Sequence, residues 1–195
     1  MNSILSKNVF LVKEHIGMFK ASNNFDIFNP ESGSLLMTCR EPNLGFFTKM
    51  FRFTDYKKMT PFHIIISDLQ GKKILSVKRG FTVFRSDVTV FDENDKPLGV
   101  FKQKFFSFGG KFEIHDANDR NLCTLQGKWT GWDFKFIKDG KELAHVSKKW
   151  AGIGKEFFTS ADNYVLEIYN HVPEDAPIRA LILASVMCID MVFKE

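Results

Sequence analysis

The run ALILASVMCI, from Ala180 to Ile189, carries no charge, and Ser185 is its one appreciably polar residue. A helix of this kind is apolar all round, so lipid or protein must enclose it on every side. Length separates the two cases. A spanning helix needs ~20 predominantly apolar residues, whereas runs of ~10–14 are more often buried core helices. Extending the run to the whole expected helix, 176–193, brings in Arg179 and Asp190, and a charge near the centre of a span costs ~2.5–3.5 kcal/mol. Only Lys194 and Glu195 follow it, so no basic cluster stands there to orient an anchor. The sequence therefore predicts a helix buried in protein. Asp175 is placed to cap its start, and Pro177 suits the first turn, where a backbone donor has no helical partner. Ala180, Ala184 and Cys188, at successive i+4 positions, form a narrow stripe that allows close packing against an enclosing wall.

What encloses the helix is written upstream. FDIFNPESGSLLMTC, FHIIISDLQGKKILSV, VTVFDENDKPLGVF, FEIHDANDRNLCTL and FKFIKDGKELAHV each alternate apolar and polar residues and turn at a cluster of Asp, Asn, Gly, Pro or Ser. Period-two alternation around such a turn is the signature of a β-hairpin. With NVFLV before them and NYVLEIY after, the sequence predicts roughly twelve strands. Many antiparallel strands with one apolar face must pair as a sandwich or close into a barrel, and closure removes the exposed edges. A closed barrel of this size has an interior wider than wall side chains fill. The fold expected is mainly β: a closed antiparallel barrel of about twelve strands around the hydrophobic C-terminal helix, with residues 1–195 as one domain.

No Pro-, Ser- or Gly-rich linker interrupts the pattern, and the 22 phenylalanines suit strand-rich packing. The N-terminal MNSILSKNVFLVKEHIG lacks the apolar core and cleavage site of a signal peptide, and Cys39, Cys123 and Cys188 are odd in number and widely spaced. These features lead us to expect a reducing, cytoplasmic setting.

The segment AHVSKKWAGIGKEFFTSADNYVLEI, followed by the apolar helix, resembles the phospholipid scramblase family, within the tubby-like superfamily that also takes in proteins related to LURP-one. The resemblance is carried by Lys148, Trp150, Gly152, Glu156, Phe158, Thr159, Ala161, Asp162, Asn163 and Tyr164, which stand where that family has a basic strand ending in Trp, a Gly turn, a Glu, an aromatic–Thr pair and an ADNF-like turn. NNFDIFNPESGSLLMTCRE and PFHIIISDLQGKKILSVKRGF resemble the family's first hairpins. The resemblance implies a twelve-stranded barrel around a buried C-terminal helix. It also implies a role in phospholipid movement between leaflets or, by the tubby relatives, in binding phosphoinositide headgroups. The Pro-rich extension and Cys-rich acylation cluster of the animal scramblases have no counterpart in these residues, so surface binding without an acyl anchor is the expectation.

Enzyme motifs are absent: there is no G-x-S-x-G, H-E-x-x-H, phosphate loop or C-x-x-C, and the five histidines are scattered. No catalysis and no cofactor are expected. The acidic turns DENDK and DANDRN imitate fragments of calcium loops, but the fifth position of each is Lys96 or Arg120 rather than an oxygen ligand. In animal scramblases the segment aligned with Ser160 to His171 is read as a calcium site. Here its ligand positions are Ser160, Asp162, Tyr164, Leu166, Ile168 and His171, with Val165 where a calcium loop needs Gly. Asp162 is its single carboxylate ligand and a weak metal candidate; alternation of Tyr164, Leu166 and Ile168 predicts the inward face of a strand instead.

Charge gives the last clue. The chain carries a formal +4, and bases and aromatics interleave in LGFFTKMFRFTDYKKM and FKQKFFSFGGKF, a composition suited to an anionic membrane interface. The candidate lipid-binding residues are Phe46, Phe47, Lys49, Arg52, Lys57, Lys58, Lys102, Lys104, Lys148 and Lys149. The expected partner is an anionic phospholipid surface met peripherally from the cytoplasm, at the inner face of the plasma membrane; no nucleic-acid-reading motif accompanies the charge. The competing expectation is a soluble regulatory or ligand-sensing barrel with no lipid role.

Overall fold

A computed structural model of the chain describes residues 3–15, 24–42, 50, 60–81, 87–103, 111–128, 132–148 and 163–193. Twelve strands close into one antiparallel barrel in which each strand pairs with its neighbour in sequence, and β1 pairs with β12 to complete the ring. The strands are β1 (Val9–Glu14), β2 (Phe25–Phe28), β3 (Leu35–Arg40), β4 (Phe62–Ser67), β5 (Lys73–Arg79), β6 (Asp87–Phe91), β7 (Pro97–Gln103), β8 (Lys111–Asp116), β9 (Asn121–Lys128), β10 (Asp133–Lys138), β11 (Lys141–Ser147) and β12 (Asn163–Ile168). A single 3-10 turn, Ser3–Ser6, precedes them, and α1 (Ile178–Phe193) follows. The five hairpins read from the sequence are β2–β3, β4–β5, β6–β7, β8–β9 and β10–β11.

Alternation decides what faces inward. Phe10 and Val12 of β1, Ile64 and Ile66 of β4, Val88 and Val90 of β6, Phe134 and Phe136 of β10, and Tyr164, Leu166 and Ile168 of β12 all belong to one buried core. The strand expected over Tyr164 to Ile168 is therefore present with its inward face as read. The helix fills the interior: Leu181, Ile182, Leu183, Ala184, Val186 and Met187 are each at most 1% exposed. A helix buried on every side has no use for a polar face, which is why its sequence has none. Ser185 satisfies its hydroxyl inside the helix by donating to the Ile182 carbonyl at 2.6 Å.

The helix begins at Ile178, two residues beyond the expected start. Its entry is a tighter turn, in which the Ala176, Arg179 and Ala180 N–H groups donate to the carbonyls three residues back. One further departure from strict alternation lies at the closing seam. Leu11 and Val165 pair across β1 and β12 with side chains pointing away from the core, yet they are 0% and 2% exposed. The seam is thus buried on both faces, and β12 reads as a nearly continuous apolar run for that reason.

Candidate functional site

Strict alternation of strand direction gives the barrel two different rims. At one, all five hairpins turn. Three turns repeat one device: Asp68 Oδ1 accepts from the N–H groups of Gln70 and Lys72, Asp92 Oδ1 from Asn94 and Lys96, and Asp116 Oδ1 from Asn118 and Arg120, all within 2.8–3.0 Å. Each has its fourth residue in the left-handed region, at Gly71 (φ +80°), Asp95 (+60°) and Asp119 (+63°). In the β10–β11 turn both central residues, Asp139 and Gly140, have positive φ, the requirement of a type I′ hairpin. One oxygen each of Asp92 and Asp116 is therefore engaged by its own turn. Among the described residues no three His, Cys, Asp or Glu side chains converge where an ion could sit. Asp162 lies outside the described residues.

The same rim is laced shut by Arg179. Its side chain is wholly buried at the start of α1, where its charge opposes the helix dipole. Five acceptors compensate: Nε donates to Leu5 O (2.8 Å), Nη1 to Val172 O (3.0 Å), and Nη2 to Ser6 O (3.0 Å), Lys7 O (2.6 Å) and Asn8 Oδ1 (2.8 Å). Burial lowers its pKa, partly offset by Glu174. The guanidinium thereby ties the N-terminal turn, the segment after β12 and the helix into one lid. Beside it opens a cavity of about 510 Å³ with an apolar floor of Leu5, Ile74, Leu75, Leu98 and Ala180 and charges of both signs, Lys72, Lys73, Asp92, Glu93 and Asp175, around it.

The opposite rim differs in composition. There β3, β5, β7, β9 and β11 end at Arg40, Arg79, Gln103, Lys128 and Ser147, with Lys102 and Lys148 adjoining. Arg40, Arg79 and Lys102 are each held by protein partners. Arg40 donates to the carbonyls of Phe25 (2.7 Å) and Cys39 (3.0 Å) and to Asp26 Oδ1 (2.6 Å), while His15 Nε2 meets Asp26 Oδ2 at 2.7 Å. Burial pushes the Asp26 carboxyl up, but hydrogen bonds and charge from Arg40 and His15 outweigh it and hold the pKa below the usual value. Arg79 points into the barrel, donates to Thr60 O at 2.7 Å and lies over the Phe62 ring at 4.8 Å. Lys102 is turned away from this rim, toward the hairpin turns, where it pairs with Asp119 of the β8–β9 turn.

Lys148 has a different setting. Pairing of Asp133 with Ser147 and of Ser147 with Val165 puts Trp132, Lys148 and Tyr164 side by side in the next inward-facing row. The Lys148 ammonium lies over the Trp132 ring at 4.6 Å and over the Tyr164 ring at 5.3 Å, and the two ring centroids are 4.7 Å apart. Phe134 meets Trp132 edge-on at 6.1 Å.

Of the ten candidate lipid-binding residues, Lys102 and Lys148 are therefore located and already paired. Phe46, Phe47, Lys49, Arg52, Lys57, Lys58, Lys104 and Lys149 lie outside the described residues. The segments that carry them follow β3, β7 and β11, whose ends share this rim. Trp132 was not singled out in the sequence; its only local signal is a Trp beside a Gly just before a strand. The three cysteines are free and buried, and burial raises all three thiol pKa values, that of Cys123 to about 12. Among the described residues no helix is long and apolar enough to cross a membrane.

Comparison with known proteins agrees with this architecture. Phospholipid scramblase family member 5 of Homo sapiens is 25% identical over 67% of this chain and 53% of its own length. Phospholipid scramblase 2 of Bos taurus is 22% identical over 69% and 50%, and that of Homo sapiens 20% identical over 91% and 62%. The chain spans about half the length of the first two of these relatives. An X-ray structure of a protein from Arabidopsis thaliana superposes with a TM-score of 0.55, covering 95% of this chain and 91% of that one at 16% identity, a likeness of fold alone. The scramblase family model matches residues 2–195, nearly the whole sequence, and the chain belongs to that family.

Proposed function

We propose that this scramblase-family protein binds anionic phospholipid peripherally, from the cytoplasmic side, with the rim opposite the hairpin turns toward the membrane, and that it does so without catalysing a reaction. One observation carries the reading: the strands leading into LGFFTKMFRFTDYKKM, KFFSFGGKF and the segment after Lys148 all end at that rim. The chain therefore enters these basic and aromatic segments from that one rim. The turns on the other side are rich in carboxylates, Asp92, Glu93, Asp95, Asp116 and Asp119 among them. Each Lys or Arg near an anionic surface contributes about 1 kcal/mol, and the attraction is screened by salt.

Sedimentation with vesicles tests this. Binding is expected to require anionic lipid, to weaken steeply between low and physiological salt, and to fall by about tenfold or more in Lys57→Glu/Lys58→Glu. Equal binding to neutral and anionic vesicles overturns the electrostatic part, and no binding to either overturns the membrane role.

A further inference from the structure

The cavity beside Arg179, of about 510 Å³, falls within the roughly 300–1,000 Å³ of small-molecule sites. Four pieces of chain bound it: the N-terminal turn at Leu5, the start of β5, the β6–β7 turn and the start of α1. Each is held in place by bonds of its own. Asp68 and Asp92 fix the turns before and after β5 and β6 from within, and Arg179 ties the N-terminal turn to the helix. The pocket is therefore preformed, and a ligand need not order it. Its floor of Leu5, Ile74, Leu75 and Ala180 is 2–4% exposed, and Leu98 lines one side. The charges around it do not cancel. Lys73 is engaged by Asp95 at 2.7 Å. That leaves Lys72 against Glu93, Asp175 and the second oxygen of Asp92, whose first oxygen is taken up by its own turn. Among the described residues no hydrogen bond or ion pair engages the Glu93 or Asp175 carboxylate. Even with the buried Arg179 charge and the roughly +0.5 of the α1 N-terminus counted in, these carboxylates outweigh the positive charge.

We infer that this cavity binds a small amphiphilic amine, with an apolar body on the floor and a primary ammonium at the mouth, met by the Glu93 and Asp175 carboxylates. Burial of the apolar body supplies the affinity. The charges, exposed and screened, decide which amphiphile is taken. Ionised carboxylates only accept hydrogen bonds, and a primary ammonium brings three N–H donors to them, whereas a quaternary ammonium brings none. A fatty acid would set its own carboxylate against an acidic mouth, and like charges brought together are rejected. The cavity opens at the hairpin rim, away from the rim proposed to meet the membrane, so the site stands or falls separately from the surface-binding reading.

The experiment is isothermal titration of the full chain at pH 7 with n-octylamine, n-octanol and octanoate, each below its micelle concentration. n-Octylamine is expected to bind at one saturable site, about tenfold more tightly than octanoate, with n-octanol between them. n-Octyltrimethylammonium, equal in charge but without N–H donors, is expected to bind several-fold more weakly than n-octylamine. Glu93→Gln/Asp175→Asn, at two exposed positions off the floor, is expected to bring n-octylamine and octanoate to within about twofold of each other and to leave n-octanol binding unchanged. Leu98→Trp, which fills the apolar side, is expected to abolish binding of all the probes. No saturable n-octylamine binding, octanoate binding as tightly, a preference that persists in Glu93→Gln/Asp175→Asn, or binding that survives Leu98→Trp each overturns the proposal, and n-octyltrimethylammonium binding as tightly overturns its hydrogen-bonded part. Should Leu98→Trp unfold, nuclear Overhauser contacts between the n-octylamine methylenes and the methyl groups of Leu5, Leu75 and Leu98 in the native chain locate the ligand, and binding without those contacts overturns the site.

Discussion

Arg179 shows how a single residue changes meaning once its surroundings are known. In the sequence it is a charge near the end of an apolar helix, and hence a cost. In the barrel it supplies donors to five acceptors, four of them on residues 5–8, which no local pattern connects to it. Arg179→Met keeps the apolar bulk but leaves those acceptors unmatched, the buried Leu5 and Val172 carbonyls at about 1–3 kcal/mol each. A loss of about 3 kcal/mol or more in urea denaturation is expected, and a loss under about 1 kcal/mol would show that water replaces the guanidinium. Asp26 gives a residue-scale prediction with a sign. Its folded pKa lies below its unfolded value, so its contribution is complete above the unfolded pKa and disappears as pH falls through the folded one. The difference in melting temperature between the native chain and Asp26→Asn should accordingly be present at pH 7 and close below about pH 4.

At the scale of elements, α1 is the piece the barrel can least do without. Ending the chain after Asp175 removes a core of Leu, Ile, Val and Met side chains, and even one deleted Leu costs about 3–5 kcal/mol when its cavity cannot collapse. The truncated protein is expected to lose its cooperative thermal transition; a monomeric truncated form that melts cooperatively would show that the wall holds without its filling. The helix and the five hairpins were legible in the sequence because their signals are local: an uncharged run between Arg179 and Asp190, and Asp at the first position of the turns beginning at Asp68, Asp92 and Asp116. The opposite rim was not. Trp132, Lys148 and Tyr164 meet only because two strand registers align them, and register across β10, β11 and β12 is set by the closed ring. Burial of Leu11 and Val165 outside the core was equally unreadable, since both sit in strands whose alternation predicts one buried face.

For the whole molecule, closure makes the parts interdependent. Every strand has two neighbours, and the helix touches β5, β6, β7 and β12 from within. Residues 1–195 are expected to unfold as one unit, with tryptophan fluorescence and far-UV circular dichroism giving coincident urea transitions; separated midpoints would divide the chain into independently stable parts. The pairing of β1 with β12 also has a consequence for how the protein is made. Translation delivers β1 first and β12 and α1 last, at about 5–20 residues per second. For on the order of ten seconds each new chain on the ribosome therefore carries β1 with one of its two edges unpaired and a wall with no filling. Folding must wait for the final helix to emerge, and until then the nascent chain depends on whatever shields its apolar edge.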